Sequence, residues 1–203
     1  MSQQLTENEV QARHPLVQKV IAQINEEKIV KDLTSTQLTR IKTLDELTQE
    51  TKSSEQAGEI RELLGENLKE SPASLVSRYV LGFLGIDEDR SEAKDYLRDL
   101  LKEFTKAGKW PIVDHIADSM LTRDEDDRFA LRAKVEATER LKGKKELRPY
   151  LEKLAKIDRK NPDIVKKYAL SILEEEPEQG LAALKQAAEP YARVKDYKNL
   201  EAI

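Results

Sequence analysis

The chain has 203 residues, 38% of them hydrophobic and 36% charged, with a formal net charge of -4 and no cysteine. The missing cysteines exclude disulfides, thiolate metal sites and cysteine nucleophiles, and the acidic balance argues against a nucleic-acid binder overall. With few aromatics and only seven glycines, the composition suits helices whose outer faces carry Lys, Glu and Arg at little cost, so the expected class is all-α.

Met1 to Arg13 is polar and without period, which predicts a disordered tail over 1–13. His14-Pro15 opens a helical stripe of Leu16, Val17, Val20, Ile21 and Ile24. Short apolar groups follow: Ile29, Val30 and Leu33, then Leu38 and Ile41, then Leu44 and Leu47, with Ser35 and Thr43 placed as helix caps. The expectation is a cap of three or four short helices over 14–50. Its basic and acidic residues balance, so it lacks the basic flanks a DNA-reading helix needs.

The polar stretch 51–59, TKSSEQAGE, reads as a linker. Beyond it, 60–203 reads as a helical-repeat domain. Ile60, Leu63, Leu64 and Leu68 share a helix face that stops at Ser71-Pro72, and Pro72 is placed in the first turn of the next helix. That helix is apolar on most of its circumference, through Leu75, Val76, Tyr79, Val80, Phe83 and Leu84, and so should be buried between neighbours. Tyr96, Leu97, Leu100, Leu101 and Phe104 form the next stripe, with Gly108 as its stop. Trp110-Pro111 opens another helix, its partner runs from about Arg128 to Leu141, and Lys142-Gly143 breaks it.

From Tyr96 to Tyr191 the pattern repeats at about 34 residues, the period of a tetratricopeptide-type helix pair. Core-type residues superpose: Leu97, Leu131 and Val165; Leu101, Val135 and Ala169; Val113, Leu147 and Leu181; Ile116, Tyr150 and Leu184; Met120, Leu154 and Ala188. Such a pair cannot bury its stripe alone, so stacking must supply the core. The predicted fold is therefore an all-α, tetratricopeptide-like right-handed helical solenoid with an N-terminal small-helix cap. Tyr197, Leu200 and Ile203 begin one more stripe, and the repeat is expected to continue beyond 203.

Chemistry is sparse. The glycines lie apart, so no phosphate-binding loop has the required spacing. His115 between Asp114 and Asp118 matches no zinc pattern, and Asp124-Glu125-Asp126-Asp127 lacks the alternation and central Gly of a calcium loop. Acidic residues there suit the N-terminal end of a helix. No catalytic residues, metal or cofactor are expected. Between Arg140 and Lys167 eleven basic residues face four acidic ones, which reads either as an oriented partner surface or as solvated helix faces. Trp110 reads either as an interface anchor or as a wedge between helix pairs. The partner-binding candidates are Trp110, Arg140, Lys144, Lys145, Arg148, Arg159 and Lys160. The longest apolar runs, such as Tyr79 to Ile86, are too short to span a bilayer, and the N-terminus lacks the form of a secretory signal. A cytoplasmic protein with no membrane partner is expected.

Five stretches also carry a family resemblance: EEKIVKDL from Glu26, LVSRYVLGFL from Leu75, KWPIVDHIADSML from Lys109, FALRAKVEATE from Phe129 and KLAKIDRKNPDIVKKYA from Lys153. Together they resemble the helical N-terminal extension of long bacterial Gre-type transcription elongation factors, over most of the chain from about Val17. The resemblance implies a non-enzymatic interaction module acting with RNA polymerase, nucleic acid being met only indirectly. The hairpin probe and C-terminal docking domain of Gre factors have no counterpart here. The helices flanking Asp87-Glu88-Asp89 reach only about 22 Å and carry core stripes, so they are not that probe. The alternatives are a tetratricopeptide-like scaffold unrelated to transcription, or nucleic-acid binding through the 140–167 basic stripe.

Overall fold

In the computed structural model the chain divides into two compact units, Met1–Lys106 and Ala107–Ile203. The structure describes residues 14–29, 37–86, 88, 90–141 and 143–193, and every regular element among them is helical. The predicted tail over 1–13, the cap residue Ser35, Asp87, Asp89 and the Tyr197, Leu200 and Ile203 stripe lie outside the described residues.

The first unit holds α1 (Pro15–Ile29), α2 (Gln37–Lys52), α3 (Ala57–Glu70), α4 (Leu75–Ile86) and α5 (Ser91–Lys106). Among the described residues of 14–50 two long helices stand, where three or four short ones were expected. Thr43 is not a cap: it lies inside α2 and its hydroxyl donates back to the Thr39 carbonyl at 3.1 Å, the in-helix alternative open to Ser and Thr. The stretch 51–59 gives its first two residues to α2 and its last three to α3, leaving a short turn. Pro72 also sits in a turn, since α4 begins only at Leu75.

The helix α4 is buried on nearly all sides, as its apolar circumference requires, and packs against α1, α2, α3 and α5. Its free N-terminal N–H groups are met from elsewhere in the chain. Glu27 of α1 accepts the Leu75 N–H at 2.5 Å and the Ser74 hydroxyl at 2.7 Å, placing a negative charge where the helix dipole favours it. Asn67 of α3 donates to the Ser74 and Ser77 hydroxyls at 3.0 and 2.8 Å. Arg78 pairs with Glu103 of α5 at 2.6 Å. A Cβ on Gly82 would lie 2.7 Å from Leu97, so glycine is what lets α4 approach α5.

The second unit holds α6 (Trp110–Leu121), α7 (Arg128–Leu141), α8 (Lys144–Ile157), α9 (Pro162–Ile172) and α10 (Pro177–Arg193). Gly108 takes φ +66 before α6, and Pro111 occupies its first turn. Each helix packs on the next in sequence. The helices α6, α8 and α10 begin at residues 110, 144 and 177, steps of 34 and 33 residues. Leu131, Val135, Leu147, Leu151 and Leu154 form one core cluster, with Tyr150, Ile164 and Tyr168 against it.

The superposed positions are buried in most copies, but the last copy departs from the expectation. Leu181 is 53% exposed, whereas Val113 and Leu147 are buried, and Leu184 and Ala188 are only half-buried. The helix α8 lies between α7 and α9, while α9 is the described helix that packs closely on α10.

Candidate interaction site

The nominated cations fall into four groups. Trp110 is half-buried at the head of α6, and the Arg140 guanidinium of α7 lies over its ring, 5.6 Å from the centroid. Two candidates are thereby joined in one cation–π pair. The side chains of Lys144 and Lys145 lie outside the described residues. Arg148 is committed within the chain: it pairs with Glu175 at 2.5 Å and also with Glu176, whose hydrogen bond, more than its charge, pushes the guanidinium further up.

Other members of the basic stripe are similarly engaged. Lys153 pairs with Glu125 at 2.5 Å, Lys156 with Glu152 at 2.6 Å and Lys167 with Glu139 at 2.8 Å. The hydrogen bond to Glu125 raises Lys153, and the Lys156–Glu152 bond raises the lysine and lowers the carboxyl. All are solvent-facing pairs of small individual worth, yet with Arg148 they engage four of the eleven basic residues that the sequence displays as a block.

Arg159 and Lys160 differ. They occupy the turn between α8 and α9, which is pinned at both ends. Asp158 donates its N–H to the Leu154 carbonyl at 2.8 Å, while its carboxylate takes Arg132 and, at 3.8 Å, Arg128. Asn161 caps α9 by accepting the Asp163 and Ile164 N–H groups at 3.2 and 3.4 Å. The acid adjacent in sequence is thus occupied by other arginines. The one hydrogen bond described for the Arg159 side chain runs from Nε to the Lys156 carbonyl at 3.0 Å, and both residues stand exposed.

Beside this turn lies an open groove of about 200 Å³, lined by Glu152, Ala155, Lys156, Arg159, Val165, Tyr168, Ala183 and Gln186 of α8, α9, α10 and the turn. Its floor is apolar. The polar groups sit on its rim.

The acidic residues resolve into structural roles. Asp127 caps α7, accepting the Ala130 N–H at 2.8 Å. Asp114 and Asp118, one turn apart on α6, hold not a metal but the ammonium of Lys134, each at 2.6 Å. Lys134 is 1% exposed and also lies 5.3 Å from the Tyr150 ring centroid. Burial alone would lower this lysine, but hydrogen bonds and charges from the two aspartates outweigh it and raise it. Among the described residues no group of three or more His, Asp or Glu is placed to hold a metal ion, and no helix is long and apolar enough to cross a membrane. Sequence reading missed both Lys134 and Glu27. The signal for Lys134 was there: it sits between Leu131 and Val135 on a buried stripe, opposite an i, i+4 pair of aspartates.

Comparison with models of protein families, with curated proteins and with solved structures finds no match to this chain.

Proposed function

We propose that the chain is a non-enzymatic helical-repeat module that binds another protein. The groove between α8, α9 and α10 carries this reading. At about 200 Å³ it admits a side chain, and it falls below the roughly 300–1,000 Å³ of small-molecule pockets. The stepwise packing of α6 to α10 at 33 to 34 residues per helix pair supports a tetratricopeptide-like solenoid for this unit. The finer proposal is the helical extension of a Gre-type elongation factor that recruits or orients RNA polymerase, resting on the five stretches that resemble it. Purified core RNA polymerase mixed with this chain and run on a sizing column with light scattering tests it. Co-elution is expected, and separate elution of the two at micromolar concentration removes the polymerase reading. The competing nucleic-acid reading loses support from the ion pairs of Arg148, Lys153, Lys156 and Lys167. Salt-sensitive retardation of labelled RNA or DNA would revive it.

A further inference from the structure

We infer that the groove beside Arg159 takes an acidic segment of the partner protein, one aliphatic side chain entering between Ala155, Val165 and Ala183 while flanking carboxylates meet Arg159 and Lys160. This rests on the protein-interaction reading and names the chemistry of the partner.

Three observations converge on it. The first is size and lining: about 200 Å³ with Ala155, Val165 and Ala183 in its lining accommodates an apolar anchor, and an apolar side chain that the bound partner itself seals from water is what carries binding energy at interfaces. The second is charge. Glu152 and Lys156 on the rim cancel each other at 2.6 Å, so the surplus at the groove comes from Arg159 and its neighbour Lys160. The third is preorganisation. Asp158 and Asn161 hold the turn between them through the helix-end bonds described above, so the cations are displayed without further ordering of backbone, which lowers the entropic cost of binding. Arg159 has terminal N–H groups suited to a two-point carboxylate contact. The Gln186 amide on the opposite wall can serve the backbone of an extended segment. A basic or neutral segment would gain the anchor but leave the two cations unanswered, and so bind less well.

Fluorescence anisotropy with labelled synthetic heptapeptides tests this on the intact chain. The probes are a central Leu flanked by Glu, the same peptide with Ala for Leu, and a Leu peptide flanked by Lys. The Glu-flanked Leu peptide should bind about tenfold or more tightly than either control, as expected for losing a charge-assisted contact or a buried anchor. Arg159→Glu/Lys160→Glu should abolish the preference for acidic flanks, and Ala183→Phe, which fills the groove, should abolish the preference for Leu over Ala, with circular dichroism unchanged in both. Equal binding of the three peptides, no binding of the Glu-flanked Leu peptide at about 1 mM, or unaltered preferences in the variants would overturn the inference. If the acidic peptide fails while the chain still co-elutes with polymerase, the groove assignment falls and the interaction reading stands. If both fail, the polymerase reading falls with it.

Discussion

Replacing Lys134 by Met should be the most damaging single polar change in the second unit. The ammonium is 1% exposed and bridges Asp114 and Asp118 at 2.6 Å each. Met keeps the length of the stem and so leaves little cavity, which isolates the electrostatic part. Without the cation, the Asp114 carboxylate, 14% exposed, stays largely dry, whereas Asp118, 51% exposed, returns to water. Breaking a buried pair from one side costs about 3–5 kcal/mol; with one of the two carboxylates free to resolvate, the lower end, about 3 kcal/mol, is expected. For a unit of fewer than 100 residues that corresponds to a fall in melting temperature of roughly 12–24 °C. Urea denaturation followed by far-UV circular dichroism at neutral pH measures it. The triple change Lys134→Met/Asp114→Leu/Asp118→Asn should recover most of the loss, because replacing an entire buried ion cluster with apolar groups is close to neutral. The pH dependence has a definite sign. Lys134 is raised above its ordinary 10.5 in the folded chain, so its contribution is complete below pH 10.5 and disappears as pH climbs through the raised value. On the lysine's side, the gap between wild type and Lys134→Met should therefore hold at neutral pH and narrow in strong alkali. A loss under about 0.5 kcal/mol at neutral pH, the level of a surface pair, would refute the account.

Glycine-to-alanine changes should have opposite signs at two helical sites. A Cβ at Gly180 would lie 2.9 Å from the Leu173 Cα and 3.3 Å from the Ala169 carbonyl, so Gly180→Ala should cost about 1–3 kcal/mol. At Gly65 in α3 nothing lies within 4 Å, so Gly65→Ala should stabilise by about 0.5–1 kcal/mol. Thermal and urea unfolding of the two variants check both. Glu27→Ala should cost about 1–2 kcal/mol by uncovering the α4 N-terminus and should speed hydrogen exchange at the Leu75 amide, with Glu27→Gln intermediate.

Helix positions were legible because they depend on local pattern. A 3.6-residue stripe and the Lys142-Gly143 break suffice to bound a helix from about Arg128 to Leu141, and the structure places α7 over the same residues. Thr43 misled in α2, where its hydroxyl back-bonds within the helix; the same hydroxyl chemistry serves a cap or a helix interior, and only flanking packing decides. The periodic register was right wherever a helix has neighbours on both sides and failed at Leu181, since period identifies an apolar face but not what covers it. Glu27 was illegible for a different reason. Its partners lie 47 to 49 residues away at Ser74 to Val76, beyond any local window.

The basic stripe shows how charge along a chain differs from charge on a surface. Lys153–Glu125, Lys167–Glu139 and Arg148–Glu175 span 28, 28 and 27 residues, a little less than one helix pair. Each acid therefore sits outside the 140–167 window in which the bases were counted, and the window overstates the exposed positive charge. The same rule picks out what is left. Asp158 lies next to Arg159 in sequence, yet its carboxylate is taken by Arg128 and Arg132 of α7. Sequence neighbours suggest neutrality at that turn, while packing leaves it positive. The surviving cations stand beside an apolar groove because one turn positions both, and that coincidence, rather than the number of lysines and arginines, is the reason to look for an acidic partner there.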